Sequence, residues 1–175
     1  GAAQAQLSTS LRLNKKQYLA GEPVIAEVTI TNHAGQTLNF ASDGRIQWLD
    51  FMIKDRFGEI VTPKGNSKFG RMSMKAGESV SRQFDLSQYY QIGEPGNFSV
   101  SAMVRIPGNI ESGAATNRVL FNQSPGVPYW SQKVGIPGKS GQIREFRVLN
   151  FSGDEKAQIY GQVIDGRTGQ NVRTF

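Results

Sequence analysis

The sequence contains no cysteine among its 175 residues, and it has one histidine, His33. Without cysteine, the chain can have no thiol nucleophile, no disulfide and no cysteine-ligated zinc. A hydrolytic triad needs a histidine that a carboxylate orients toward a nucleophile, but His33 lies in an Asn-His-Ala-Gly turn, where its ring is poorly fixed. The nucleophile elbow, the HExxH zinc motif and the glycine-rich phosphate loop are also missing. The sequence therefore predicts a protein without enzymatic activity, cofactor or bound metal.

Long apolar segments and clustered charge are missing as well. No stretch approaches the roughly 18 apolar residues of a membrane span, so the sequence predicts none. The net charge is +6, but residues 1–123 hold 13 basic and 10 acidic side chains and residues 124–175 hold 7 and 4, which gives +3 in each part. Nucleic-acid binding needs a basic stripe, so we expect no nucleic-acid partner. Scattered positive charge is typical of a solvated surface, and it also suits a protein that works near an anionic cell envelope or polysaccharide.

The first residues, Gly-Ala-Ala-Gln-Ala-Gln, are small or carry amides, contain no methionine and lead directly into the first strand-like run. Such a start is typical of a chain from which a signal peptide has been removed, with Gly1 remaining from a cleaved tag. We therefore expect an exported protein, either periplasmic or extracellular.

The clearest positive signal is the stretch 18–32, YLAGEPVIAEVTITN. It opens with a Gly-Glu-Pro turn and then alternates for eight residues, with Val24, Ala26, Val28 and Ile30 on one face. Alternation with a period of two predicts a β-strand that is buried on one side.

The same pattern of an alternating run followed by a turn recurs along the chain. It is clear in 46–54, IQWLDFMIK, and in 98–106, FSVSAMVRI, whereas 107–115 is polar and predicts a loop. Seven or eight short strands in about 120 residues are typical of a two-sheet sandwich. The predicted fold class is therefore all-β, with an immunoglobulin-like two-sheet sandwich over residues 1–123.

Residues 124–175 are predicted to form a connector and a C-terminal β-extension of three strands that packs on the sandwich. The segment 122–142 is rich in glycine and proline and carries Tyr129-Trp130 in its middle, which predicts an extended connector. Three alternating runs follow, at 143–151, 156–164 and 171–175. The last two flank Asp-Gly-Arg-Thr-Gly, a strong hairpin signal, and a meander this short needs support from the sandwich.

Several motifs resemble those of two known immunoglobulin-like modules. They are Leu11-Arg12-Leu13, Tyr18-x-x-Gly21-Glu22-Pro23-Val24, Val28-Thr29-Ile30-Thr31-Asn32, Asp55-x-x-Gly58-x-x-Val61 and Pro95-Gly96-x-Phe98-x-Val100. Over residues 7–121 the chain resembles the BsuPI-like domain of intracellular proteinase inhibitors and the macroglobulin-type domain of alpha-macroglobulins and related bacterial surface proteins. The resemblance implies an immunoglobulin-like sandwich. It carries over no catalytic residue, and residues 122–175 have no counterpart in either family.

The aromatic side chains Trp48, Tyr129 and Trp130 are the candidate contact residues for a ligand or partner. Exposed Trp and Tyr side chains offer flat apolar surfaces with a polar edge, which suit sugars and protein partners. Alternatively, Trp48 belongs to the core and Trp130 fills the seam between the sandwich and the extension. Glycan binding would need two of these rings to be exposed and coplanar.

The sequence favours a non-enzymatic binding or structural module, exported to a bacterial cell envelope, that engages a protein or an envelope component. The first alternative is a carbohydrate-binding protein that uses exposed aromatic side chains. A lower alternative, implied by the resemblance to BsuPI-type domains, is a proteinase inhibitor, for which Pro107–Ala115 is the candidate docking loop.

Overall fold

The computed structural model describes residues 6–44, 46–65, 69–153 and 157–175. The residues on which the signal-peptide prediction rests, 1–5, lie outside these ranges. Within them the chain forms fourteen strands and one helical turn. In chain order these are β1 (Leu7–Leu13), β2 (Gln17–Leu19), β3 (Ile25–Asn32), β4 (Leu38–Phe40), β5 (Leu49–Asp55), β6 (Met72–Met74), β7 (Ser79–Asp85), α1 (Leu86–Tyr89), β8 (Gly96–Ile106), β9 (Asn109–Ala115), β10 (Val119–Ser124), β11 (Val127–Gly135), β12 (Ile143–Phe151), β13 (Gln158–Asp165) and β14 (Asn171–Thr174).

Two sheets form the sandwich. One has three strands in the order β1-β3-β7, and the other has the order β2-β10-β8-β5 with β9 added beside β8. All pairings in these sheets are antiparallel except that of β2, which runs parallel to β10. The predicted fold class, an all-β sandwich, is therefore confirmed.

The strand β3 lies at the centre of the three-stranded sheet, and its alternation follows the prediction. Its even-numbered apolar side chains are buried, as is Val24 just before it, and its odd-numbered side chains are partly exposed. The same core contains inward-facing side chains of β5 and β8, namely Leu49, Phe51, Ile53, Val100, Ala102 and Val104. Burying one such side chain stabilises the fold by roughly 1.5–3 kcal/mol, so this alternation fixes which face of each sheet turns inward.

Side chains cover the outer edges of two sandwich strands. The amide of Asn117 bonds to both backbone groups of Leu11 in β1, at 2.8 Å to its N–H and 3.0 Å to its carbonyl. On β5, the Tyr90 hydroxyl accepts a hydrogen bond from the Phe51 N–H at 3.2 Å, and the N–H of Val61 donates to the carbonyl of the neighbouring Ile53 at 2.9 Å. These contacts satisfy backbone groups that would otherwise be open to another strand.

The predicted loop at 107–115 is wrong, because most of it forms β9. A tight turn at Pro107-Gly108, where Gly108 has φ +79°, returns the chain so that β9 pairs with β8. Gly113 lies so close to β8 that an added Cβ would be 2.8 Å from both Met103 Sδ and the Val104 carbonyl oxygen. The strand β9 was not predicted because its residues are mostly small or polar and show no apolar alternation. Small residues are needed there because the backbone of β9 lies close to β8.

The predicted connector at 122–142 is also wrong over much of its length, because β11 lies within it and pairs with β12. The C-terminal sheet therefore has four strands, in the order β11-β12-β13-β14. The three predicted strands are present as β12, β13 and β14. Proline and glycine suggested a loop, but proline is tolerated at an edge strand, which is where Pro128 lies. The proposed domain boundary near residue 123 stays a prediction.

We predict that Tyr90 makes the protein sensitive to alkali. Burial raises the pKa of Tyr90 to about 12, whereas a tyrosine in the unfolded chain has a pKa of about 10. Its contribution to the free energy of unfolding is therefore complete below about pH 10 and is lost as the pH rises toward 12. Thermal unfolding of wild type and Tyr90→Phe across this range should show a smaller decline for the variant.

At neutral pH, Tyr90→Phe should cost only the hydrogen bond to Phe51, about 1 kcal/mol. Tyr129→Phe is the matched control, because Tyr129 is exposed and its replacement should leave the alkaline decline as in wild type. Equal declines for wild type and Tyr90→Phe would show that Tyr90 is not the responsible group.

Candidate functional site

The turn between β2 and β3 attaches the C-terminal sheet to the sandwich. The carbonyl oxygen of Ala20 accepts hydrogen bonds from the Thr174 hydroxyl at 2.9 Å and from the side-chain amides of Gln162 and Asn171, both at 3.2 Å. On the other side, the Ala20 N–H donates to the carbonyl of Ser124 at 2.7 Å. One residue therefore links β2 and β10 to β13 and β14.

Glu22, two residues after Ala20, is buried at the same seam between the sandwich and the C-terminal sheet. Its Oε2 accepts from the N–H of Leu19 at 3.0 Å, and its Oε1 contacts the ammonium of Lys15 and the hydroxyl of Tyr160, the latter at 3.2 Å. Burial disfavours the charged form of Lys15, but the hydrogen bond and charge of Glu22 outweigh it and raise the pKa of Lys15. Burial, followed by the charge of Glu22, raises the pKa of Tyr160. Lys15 thus stays charged while Tyr160 stays neutral.

Glycine is required at position 21, between Ala20 and Glu22. Gly21 has φ +83°, and a Cβ at this position would lie 2.6 Å from both Asn171 Oδ1 and Thr174 Oγ1. A small apolar cluster of Leu19, Leu149 and Tyr160 lies next to this turn. The sequence predicts the Gly-Glu-Pro turn only as the start of β3. The acidic residue directly after the glycine was the signal of a contact with the C-terminal sheet, and it was missed.

Of the three predicted contact residues, Trp48 is buried and offers no surface to a ligand. It lies one residue before β5, outside the alternation of that strand, and its ring packs on Phe40 with 5.2 Å between centroids. Its indole N–H donates to the carbonyl of Gly70 at 3.1 Å. The alternative, a core role for Trp48, is the one that the structure shows.

Tyr129 and Trp130 are exposed, at 61% and 46%. The register places Trp130 opposite Val148 and Val148 opposite Gly161, so these positions share one face of the C-terminal sheet. The next row on that face holds Gln132, Phe146 and Val163. We call this surface the outer face, and its apolar members are Val127, Trp130, Val134, Phe146, Val148, Ile159, Val163 and Phe175.

The opposite face of the C-terminal sheet is directed at the sandwich. Leu149 and Tyr160 lie there and are buried, together with Gln162 and Thr174 of the seam. Because successive side chains in a strand point to opposite sides, docking of this inner face leaves the outer face in solvent. Tyr129 falls at the register shift between Pro128 and Trp130. The structure therefore groups Trp130 with apolar residues of three other strands and not with Trp48.

Charged groups border the outer face. Arg144 and Asp165 form an ion pair of 3.4 Å across β12 and β13, and the guanidinium of Arg173 lies 5.6 Å from the centre of the Phe175 ring. Hydrogen bonds from the Arg167 and Thr168 N–H groups lower the pKa of Asp165, so it is ionised at neutral pH. The outer face is thus an apolar centre with a charged border.

A groove on the sandwich is a second surface feature that sequence reasoning missed. It has a volume of about 460 Å³ and lies between the turn after β5 and the start of β8. The exposed side chains of Phe57 and Ile60 line it, and the guanidinium of Arg56 lies 4.6 Å from the Phe57 ring centre.

The histidine lies outside both surfaces. His33 Nε2 is 2.9 Å from the hydroxyl of Ser8, and both residues are exposed. Within the described ranges, His33 has no carboxylate partner that would orient it as in a triad. Those same ranges contain no group of three or more His, Asp or Glu side chains placed to hold a metal ion. No helix in the described part of the chain is long and apolar enough to cross a membrane.

Comparison with known proteins gives one family. The sequence model of the family described as "Flagellar collar protein C, N-terminal domain" matches residues 8–117, which include β1 to β9. No curated protein sequence matches the chain.

Solved structures match the chain at low similarity. A β-glucosidase from Erythrobacter marinus is 11% identical, with a TM-score of 0.43 over 67% of this chain, and one from Listeria innocua is 15% identical, with a TM-score of 0.41 over 70%. This chain spans only 15% and 17% of these two enzymes. The sporulation control protein Spo0M from Bacillus subtilis is 12% identical, with a TM-score of 0.45 over 97% of this chain and 84% of that one. None of these likenesses bears on function.

We predict that Gly21→Ala weakens the attachment of the C-terminal sheet. A non-glycine residue in the left-handed region costs about 1–2 kcal/mol, and the displaced side chains of Asn171 and Thr174 lose hydrogen bonds of about 1 kcal/mol each. Chemical denaturation should show a loss of about 2–4 kcal/mol in the free energy of unfolding. Hydrogen exchange should show that β13 and β14 lose protection before β3.

Gly35→Ala is the matched control, because a Cβ at Gly35 meets no atom within 4 Å and its φ lies outside the left-handed range. The control should change stability by less than about 1 kcal/mol. If both variants behaved alike, the tight approach at Gly21 would not be what holds the sheet.

Proposed function

Because the chain belongs to the family of the flagellar collar protein C N-terminal domain, we propose that it is a non-enzymatic structural module of the bacterial cell envelope. In this proposal it binds a protein partner within a flagellum-associated assembly. The family match supports the assembly, and the surface of the molecule supports the kind of contact.

The observation that carries the proposed contact is the outer face of the C-terminal sheet. Val127, Trp130, Phe146, Ile159 and Phe175 are all large apolar residues there, and each is more than 40% exposed. Contiguous apolar patches are limited on proteins that work alone, and larger ones mark interaction sites. Trp and Phe side chains are also the usual anchors of protein interfaces.

The outer face is held in place before any partner arrives. It belongs to four hydrogen-bonded strands, and the seam at Ala20 and Glu22 attaches those strands to the sandwich. A surface that is already ordered loses little conformational entropy on binding. We therefore propose a partner with an apolar centre, and with an acidic group that meets the positive charge of Arg173 at the border.

We also propose that the protein is exported and acts in the periplasm or outside the cell. The sandwich of residues 1–123 would then be the unit that is common to the family, and residues 124–175 would present the contact surface. The match to residues 8–117 supports this division of roles.

The test is co-purification with flagellar basal bodies from a flagellated bacterium that produces this chain. Wild-type protein should be retained, and the double variant Trp130→Gln/Ile159→Gln should be reduced at least about tenfold, equivalent to about 1.4 kcal/mol of lost contact. The double variant Leu120→Gln/Phe57→Gln is the matched control, because both residues are exposed and apolar but lie on the sandwich. Circular dichroism should show all three proteins folded.

Equal retention of the two double variants would exclude the outer face as the contact surface. Absence of wild-type protein from the basal bodies would exclude the flagellar assembly itself.

Carbohydrate binding is a second proposal, supported by the exposure of Tyr129 and Trp130 on adjacent positions. It predicts that added peptidoglycan fragments protect Trp130 from acrylamide quenching. The quenching of Trp48 should not change, because Trp48 is buried. The Trp48→Phe variant isolates the fluorescence of Trp130 for this measurement. Unchanged quenching at saturating glycan would remove this proposal.

The proteinase-inhibitor hypothesis depended on a docking loop at Pro107–Ala115, and most of that segment is not a loop. Residues 109–115 form β9 and pair with β8, so they do not form the rigid exposed loop that an inhibitor presents. The likeness to BsuPI-type and macroglobulin-type domains stays a prediction beyond the shared sandwich.

A further inference from the structure

The edge strand β11 is open to another strand, unlike β1 and β5. It pairs with β12 on one side only, and every residue from Tyr129 to Gly135 is exposed. The edge of β1 is covered by Asn117 and that of β5 by Tyr90 and Val61. An exposed, regular edge strand is a template for pairing through its backbone.

The devices that block edge pairing occupy only the first part of β11. Pro128 and the register shift at Tyr129 disturb its start, and both features are known to protect sheet edges. From Trp130 to Gly135 the pairing with β12 is regular. The regular part holds one charged side chain, Lys133, which lies opposite Glu145 of its own sheet, and Glu145 forms its ion pair with Arg147.

We propose that β11 pairs antiparallel with β11 of a second copy of this chain, with the two-fold axis at Gln132. This register places Trp130 opposite Val134, Ser131 opposite Lys133, and Gln132 opposite Gln132. An apolar pair and two polar pairs result, and no like charges lie directly opposite each other; the two Lys133 side chains are diagonal neighbours. The two outer faces become one continuous surface on a sheet of eight strands.

Neighbouring registers are less favourable. If one β11 strand slipped by one residue against the other, the outer face of one copy would lie on the same side as the inner face of the other, since side chains alternate. An axis at Lys133 would place the two lysines directly opposite each other, which destabilises a strand pair. An axis at Ser131 would bring the irregular position Tyr129 into the ladder. The axis at Gln132 avoids all three problems and gives a closed dimer.

Sedimentation velocity of the purified chain tests this proposal, which goes beyond the flagellar role and needs no partner from the cell. Wild type should show a reversible monomer–dimer equilibrium. Gln132→Lys and Gln132→Glu should each weaken dimerisation about tenfold or more, because like charges then meet at the axis. An equimolar mixture of the two variants should restore dimers. Gln83→Lys on the strand β7, also exposed, is the control and should dimerise like wild type.

A cysteine substitution tests the register, since the chain has no cysteine of its own. Gln132→Cys should form a disulfide-linked dimer under mild oxidation, because directly opposed residues bring their Cβ atoms within about 4.5–5.5 Å. Gln83→Cys should remain largely unlinked under the same conditions.

Two results would overturn the proposal. The first is a wild-type protein that stays monomeric at its highest soluble concentration, which would leave the β11 edge to a strand of some other protein. The second is a dimer that Gln132→Lys does not weaken but Trp130→Gln/Ile159→Gln abolishes, which would indicate packing of outer face on outer face. Ser131→Lys separates this proposal from the flagellar role, because Ser131 lies on the inner face of the sheet, opposite Arg147, and the new lysine would meet Lys133 of the second copy. A monomeric Ser131→Lys protein that is still retained by basal bodies would show that the flagellar role does not depend on the dimer.

Discussion

The carbonyl oxygen of Ala20 receives three side-chain hydrogen bonds from the C-terminal sheet, and the position of that sheet depends on them. The buried apolar cluster at the seam is small, with Leu19, Leu149 and Tyr160 as its buried members. Polar contacts must therefore supply much of the attachment, and the hydrogen bond from the Tyr160 hydroxyl to Glu22 adds to them. Since the contact with the sandwich buries part of the inner face of the sheet, it also leaves the outer face exposed.

Local periodicity explains how much of the fold could be predicted. Strands β3, β5 and β8 alternate because each is buried on one side, so their residues carry the signal alone. Strands β9 and β11 gave no such signal. The first has glycine and alanine where the backbone approaches β8 closely, and the second is exposed on nearly all of its residues. Trp48 shows a related limit: it lies near the start of an alternating run in the sequence but one residue before the strand, and its ring packs in the core.

The candidate surface could be predicted only in part, because it is assembled by strand register. Tyr129 and Trp130 were recognisable as aromatic residues in a segment rich in glycine and proline. The association of Trp130 with Phe146, Ile159 and Phe175 depends on the pairing of four strands, which no local pattern encodes. The same holds for the seam, where residues 20–22 meet residues that lie about 140 to 150 positions further along the chain.

The parallel pairing of β2 and β10 affects how the molecule would carry mechanical load. Both strands run in the same direction and both are connected to the C-terminal sheet. The turn after β2 is connected by the hydrogen bonds of the Ala20 carbonyl, and β10 by the chain that continues through Gly126 into β11. A pull on the C-terminal sheet would therefore draw these strands lengthwise out of the sandwich. Lengthwise traction strains the hydrogen bonds between β10 and β8 together, whereas a sideways pull would open them one at a time. The connection is thus arranged to resist traction in shear, the stronger of the two directions.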